Sequence, residues 1–292
     1  MASSQRRSPA VQLDSRTATG SDRAGQTRKA ADFGSATLPV GLIPRVEWSA
    51  SQVKFLRESS HVKVVMLDMD AADRLVSRGL DSTCFGPHIR IVTTSTIEDA
   101  TLTQYRVNRE VELVKRFHPA WHVACDRPVY LSDDPKSRRL KIDWAVESFA
   151  AFREALVDTS TVPLPLIKGV TGEEWARCID LYRQAGATAF AYYGAQYFGQ
   201  GRGRRQAELV DDVRTMISGS GLGYLLLIGV QSPNLLSRFP PQVRAFAGMR
   251  WRLGTKPSTG STSAADARYA EWESAWRRAS KARQQVMWEA PT

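Results

Sequence analysis

Between Val162 and Trp251, short apolar runs alternate with amphipathic segments, and this alternation constrains the fold more than any other feature of the chain. The runs read VPLPLIKG, ATAFAYYG, GYLLLIGV and VRAFAGMRW, and TGEEWARCIDLYRQAGA, between the first two, is amphipathic at helical spacing. Continuous apolar runs this short suit strands covered on both faces, as in a parallel sheet. Three of the four end in or near glycine, at the carboxyl end where α/β barrels place their active sites.

The same pattern extends backwards. Strands are expected near 62–68 (VKVVMLD), 88–93 (HIRIVT), 121–125 (WHVAC), 163–168, 187–193, 224–229 and 243–247, with a first strand near Val40 to Ile43. Helices fit at 98–117, 142–157, 171–185, 204–218 and 232–238. Strand–helix alternation of this kind builds βαβ units with right-handed crossovers. A TIM-type (β/α)8 barrel over residues 39–255 is therefore the expected core. A doubly wound open sheet is disfavoured, because no G-x-G-x-x-G opens a helix after the early strands.

Residues 1–38 are rich in Ser, Arg, Ala, Thr and Gly and read as a disordered basic tail. The stretch from Lys256 to Ala265 reads as a linker, and the remainder of 256–292 as a terminal helix with Tyr269, Trp272 and Trp276 on one docking stripe. No apolar run approaches the roughly 20 residues of a membrane span, and no apolar segment follows the N-terminal arginines. The expectation is a cytoplasmic protein without a membrane partner. A formal net charge of +10 favours a polyanionic partner, nucleic acid foremost.

Three cysteines, Cys84, Cys125 and Cys178, form neither a disulfide framework nor a structural zinc site. In HPAWHVAC, His118, His122 and Cys125 approach metal-ligand spacing, but on a strand His122 and Cys125 face opposite sides, so no metal is expected. No cofactor is expected either.

Candidate chemistry lies at the strand ends: Asp68 and Asp70 in MLDMDAAD, Asp126 in HVACDRPVY, Lys168 and Gly169 in LPLIKGV, Tyr193 and Gly194 in AYYGAQ, and Gln231 in LIGVQSP. Barrel closure would bring such ends to one mouth. If Asp68 and Asp70 both lie on an extended strand they share a face, and their repulsion raises one pKa. If the strand stops at Asp68, Asp70 serves instead as a cap for AADRLVSRG. Arginines follow two strand ends, as Arg202, Arg204 and Arg205 in GRGRR and as Arg250 and Arg252, and suit a phosphate backbone.

The order and spacing of these strand-end motifs, over roughly Val62 to Trp251, resemble the tRNA-guanine transglycosylase superfamily, in particular its DNA-acting branch, the DNA 7-deazaguanine transglycosylases. Asp68-Met69-Asp70-Ala71-Ala72 stands where the family has a D-S-G-G-F-like motif, and Asp126 matches the Asp that grips the guanine edge. Leu166-Ile167-Lys168-Gly169-Val170 is similar to I-V-Q-G-G, Tyr193-Gly194 to a glycine loop bordering the base pocket, and Tyr224 to Pro233 to Y-L-M-G-V-G-x-P with one residue extra. The family's nucleophilic Asp follows the next strand, where this chain reads Ala245-Phe246-Ala247-Gly248-Met249-Arg250 without a carboxylate. No cysteine-rich stretch like the zinc site of bacterial tRNA enzymes follows Trp251, and the accessory RNA-binding domains of archaeal relatives are not expected.

The resemblance implies a glycosyltransferase, encoded by a phage or a genomic island, that replaces guanine in DNA with a 7-deazaguanine such as 7-cyano-7-deazaguanine. Its partners would be DNA in preference to tRNA, the free deazaguanine base and proteins of a modification system. Asp68, Asp126 and Asp70 would carry the chemistry, and Lys168, Gly169, Tyr193, Gly194 and Gln231 would line the base pocket. A barrel that binds nucleic acid without catalysis is the second reading. A barrel enzyme using GSGLG (Gly219 to Gly223) on a phosphorylated metabolite is the third.

Overall fold

The computed structural model describes residues 37–103, 105–198, 205–257 and 261–288. The expected tail therefore falls, but for its last two residues, outside the described residues. Eight parallel strands, β1 (Gly41–Val46), β2 (Val64–Asp68), β3 (Arg90–Thr94), β4 (Trp121–Ala124), β5 (Val162–Pro165), β6 (Phe190–Tyr193), β7 (Leu225–Ile228) and β8 (Val243–Gly248), alternate with helices. Strands β1 to β5 pair each with the next, as do β6 to β8, and β1 also pairs with β8. Between β5 and β6 the seam is held by a single bridge, Leu166 to Ala191, with the Ile167 amide donating to the Ala191 carbonyl at 2.9 Å. The result is a nearly closed (β/α)8 barrel, as the alternation predicts.

Strand parity divides the core into an inside and an outside. Ile43, Met66, Val92, Val123, Leu164, Ala191, Leu226 and Ala247 pack with one another inside the barrel. The intervening residues, such as Leu67, Phe190, Leu227 and Phe246, pack outward against the helices. The interior is a packed core, so ligands are confined to its ends.

Helix starts follow local capping chemistry. Thr171 accepts from the Glu174 amide at 3.2 Å to open α6 (Gly172–Gln184). Asp134 caps the Ser137 amide at 3.0 Å, with Pro135 in the first turn, so α5 (Pro135–Ala155) begins seven residues before the expected 142. The expected helix 98–117 is two, α3 (Asp99–Leu102) and α4 (Val107–Phe117). The Thr103 hydroxyl bonds the Ala100 carbonyl at 2.8 Å between them, a local bond that competes with helix continuation.

The remaining helices are α1 (Ala50–Glu58), α2 (Met69–Val76), α7 (Gln206–Ser220), α8 (Pro233–Leu236), α9 (Trp251–Thr255) and α10 (Thr262–Trp288). The expected linker over 256–265 is shorter than composition suggests, because Ser261 caps the Ala264 amide and α10 starts at Thr262. This last helix packs on α8, α9, α1 and β1, completing the outer ring. Tyr269 is buried against Phe55, and the ring of Trp276 lies over Gly41, where an added Cβ would sit 3.6 Å from it. Among the described residues no helix is long and apolar enough to cross a membrane.

Candidate active site

Inward parity, carried past the strand ends, puts polar side chains where the apolar core stops. Arg45 on β1 continues the inward series of Ile43, Asp68 on β2 that of Met66, Lys168 beyond β5 that of Leu164 and Leu166, and Tyr193 on β6 that of Ala191. These four line one cavity of about 690 Å³ at the carboxyl mouth, together with Asp70 and Asp126. A volume of this size accommodates a small-molecule or nucleobase-sized ligand.

Two ion pairs organise its floor. Arg45 donates to Asp68 Oδ1 at 2.7 Å and to the Thr96 carbonyl at 2.9 Å. Burial raises the Asp68 carboxyl above the usual carboxylate range, opposed by Arg45 and reinforced by the charges of Asp70 and Glu47. Across the mouth the Lys168 ammonium is ion-paired to Asp126, with both side chains largely buried. The Lys168 amide donates to Cys178 Sγ at 3.3 Å, fixing the backbone from which this lysine projects.

Asp126 reaches the mouth through a break in strand parity. Trp121 and Val123 face the barrel interior, so a continued strand would turn Cys125 inward and Asp126 away. Cys125 instead has φ of 58°, in the left-handed region. Its side chain packs outward in the helix layer, and Asp126 lines the cavity.

The structure decides between the two expectations for Asp70 and amends the second, since Asp68 itself takes the cap position. Strand β2 stops at Asp68, which occupies the N-cap position of α2 without a side-chain capping bond, and Asp70 lies in the first helical turn, paired with Arg74 at 2.7 Å. The two carboxylates thus do not alternate along a strand, although both line the cavity and Asp70 still contributes to the raised Asp68 pKa.

Glycines and glutamine at the strand ends divide between cavity and packing. Gly169 lines the cavity with φ of 125°, and a Cβ there would come within 2.7 Å of Glu174 Cβ. Gly194 is absent from the cavity wall; a Cβ on it would meet Val230, Leu227 and Leu209 at 3.1–3.3 Å. Gln231 is also absent from the wall. It is buried, donates to the Ile43 carbonyl at 2.8 Å and accepts from the Trp251 amide at 3.3 Å. Both residues, expected in the base pocket, are placed as packing elements around β7 and β8.

Of the arginines expected at phosphate, Arg202 and Arg204 lie outside the described residues. Arg205 stands at the start of α7, ion-paired with Glu208 and 5.2 Å over the Tyr197 ring. Arg252 pairs with Glu47 at 3.0 Å, and Arg250 is exposed beside α9. In a barrel the helix starts and strand ends share one face, so exposed Arg106, Arg127 and Lys136 belong to the same rim. Inside that rim the cavity wall carries Glu47, Asp68, Asp70, Glu98, Asp99 and Asp126 against Arg45 and Lys168. The mouth is an acidic pit within a rim of mixed charge, because exposed Asp134, Glu173 and Glu208 also stand at helix starts on this face.

Sequence reading passed over Arg45, Glu98, Asp99, Tyr130 and Glu110. Tyr130, on the loop after β4, lines the cavity and its hydroxyl donates to Asp99. Glu110 left a readable mark, since it falls on the stripe of Val107, Val111 and Val114, where a carboxylate must find a buried partner. That partner is His122, whose Nε2 lies 2.7 Å from Glu110 Oε1 and whose Nδ1 lies 2.7 Å from Thr93 Oγ1. Among the described residues no group of three or more His, Cys, Asp or Glu is arranged to hold a metal ion. Comparison with protein-family models and with curated proteins finds no match to this chain.

Proposed function

We propose that this barrel is a base-exchange enzyme of the guanine transglycosylase type acting on DNA. The reading is supported by one observation: Asp68, Asp126 and Lys168, strand-end residues that also match the motif order of the resembling family, line a single cavity at the mouth. The electrostatics agree with it. Guanine and 7-deazaguanines offer N–H donors along one edge, which an acidic pit accepts, while phosphates on either side of an extruded nucleotide would meet rim cations such as Arg106, Arg127 and Arg250.

In this reading Asp126 accepts from the purine edge, with Lys168 beside it for the exocyclic oxygen. Asp68 has the raised pKa of a proton-transfer group, so it protonates the departing guanine and takes the proton from the incoming base. Asp70, on the same wall, supplies the carboxylate that attacks C1′ and holds the sugar as a covalent ester between the two displacements. Tyr193 borders the base.

One observation favours a second reading, a barrel that binds nucleic acid without chemistry. The exit of β8, where the resembling family carries its nucleophile, is Gly248-Met249-Arg250. Nucleoside mass spectrometry on DNA and tRNA separates the readings, using cells that make 7-cyano-7-deazaguanine and express the protein. A deazaguanine deoxynucleoside that disappears in D68N, D70N and D126N supports base exchange in DNA. Modified tRNA alone moves the substrate to RNA. Unmodified nucleic acid together with retained DNA binding supports the second reading.

A further inference from the structure

We infer that Glu110, on the outer helix α4, is a positioning residue that aims Asp126 into the mouth by clamping the left-handed turn at Cys125. Glu110 lies on the far side of the barrel wall from the cavity and is 3% exposed. Its Oε1 accepts the Cys125 amide at 2.9 Å and meets His122 Nε2 at 2.7 Å, so one oxygen holds two points of the β4 exit. His122 is itself fixed, by Thr93 at Nδ1 and by stacking on Phe152 with centroids 5.1 Å apart.

The clamp has a specific conformational task. A non-glycine residue in the left-handed region costs on the order of 1 kcal/mol and persists where its surroundings over-determine it. Here three side-chain contacts do so. Glu110 takes the Cys125 amide, Ser95 Oγ accepts from the Asp126 amide at 3.1 Å, and the same hydroxyl donates to the Val123 carbonyl at 2.9 Å. Burial holds the Cys125 thiol far above its usual pKa, with the charges of Glu110 and Asp126 adding to the effect, so the thiol stays a neutral packing group. If the Cys125 amide lost its acceptor, relaxation to a strand conformation would swing Asp126 out of the mouth and leave Lys168 without its carboxylate.

This inference concerns how the mouth is built and stands whether or not the barrel catalyses base exchange, so its test reads the ion pair and not turnover. Lysine 1H–15N correlation spectra of the full-length protein give the probe. The Lys168 ammonium, buried against Asp126, should give a slowly exchanging signal, identified by its loss in K168M and its shift in D126N. In E110M, which keeps the side-chain length and volume and removes both oxygen acceptors, the signal should shift toward the D126N position or broaden away. In E110M/C125G it should return, because glycine adopts the left-handed turn without the clamp. Thermal unfolding is recorded alongside. A Lys168 signal unchanged in E110M, whatever the loss in Tm, overturns the inference and leaves Glu110 as a partner of His122 alone. Failure of C125G to restore the signal overturns the conformational step. If E110M does not fold, E110D, which retracts the carboxylate by one methylene, provides the same comparison with the same two outcomes.

Discussion

The exits of β4 and β8 lie on opposite sides of the barrel and are built for different ends. At the β4 exit a strained turn, a buried carboxylate and three side-chain clamps place one charge, Asp126, against Lys168. At the β8 exit the residue lining the mouth is Met249, half exposed. The nearest buried polar group is Gln231, and both of its contacts tie backbone segments together. The two ion pairs of the cavity floor likewise come from the ends of β1, β2, β4 and β5. The buried charge pairs of the mouth are concentrated in one half of the barrel.

The largest test of that division falls on the ion pair. K168M leaves Asp126 buried without its cation and should cost about 3 kcal/mol of stability, as for other buried pairs broken on one side. Adding D126N should recover much of that cost, since a neutral pair of similar volume needs no counter-charge. Urea denaturation of the two single variants and the double variant measures it. Additive losses would mean that the pair is too hydrated to count as buried.

Q231A probes the other half. It strips the Ile43 carbonyl and the Trp251 amide of their side-chain partner, and buried groups left unpaired cost roughly 2 kcal/mol. Binding of a DNA oligonucleotide by the refolded variant should match wild type at temperatures where both are folded. A fluorescence anisotropy titration that shows weakened binding with unchanged stability would return Gln231 to the pocket.

These two residues also show how far the sequence was legible. Strand parity is a local property, so the barrel and the strand-end positions of Asp68 and Lys168 follow from the alternation of apolar runs, whereas Arg45, inside the first strand, carries no such mark. Gln231 and Gly194 sit at strand ends as well, but a strand end alone does not tell a residue facing the mouth from one turned into the packing behind it. That distinction lies in contacts from distant segments, Ile43 and Trp251 for Gln231 and Leu209 for Gly194. Asp126 was found for a reason that ordinary parity contradicts, since the turn at Cys125 is set by Glu110 from another element. For Asp70 the sequence leaves strand and helix start open, because two carboxylates spaced by two look alike at a strand end and in a helical first turn.

A smaller effect separates Asp68 in the charged half from Asp266, which ties α10 to the loop before β2. Burial raises the Asp68 carboxyl, so the folded chain holds that proton more tightly than the unfolded chain. Its contribution to stability is full below the unfolded pKa and is lost as pH rises through the folded one. For Asp266 burial also pushes upward, but hydrogen bonds from Ser59, His61 and Ser60 outweigh it and hold the carboxyl below the usual range. Its contribution is present above the unfolded pKa and is lost as pH falls through the folded one. Stability measured from pH 3 to 7 should therefore show the wild type losing ground to D68N as pH rises, and gaining ground on D266N over the acidic end. Parallel curves for the two variants would remove the assignment of opposite shifts.

The smallest stability effect belongs to the β8 exit, where it carries the sharpest functional contrast. Met249 is 42% exposed, so M249D exchanges a solvated thioether for a solvated carboxylate and should change stability by less than about 0.5 kcal/mol. The substitution nevertheless adds a charge to the mouth opposite Asp126, at the strand end where the resembling family carries its nucleophile. If Asp70 performs the attack, M249D should leave the amount of deazaguanine in DNA unchanged or reduce it, because a second carboxylate repels the ionised form of the first. If the natural chain binds without reacting, M249D is the variant most able to form a covalent adduct with a guanine-containing oligonucleotide, detectable by intact-mass spectrometry. An adduct seen in M249D and not in wild type would mean that the β8 exit, bare in this chain, is what separates binding from catalysis.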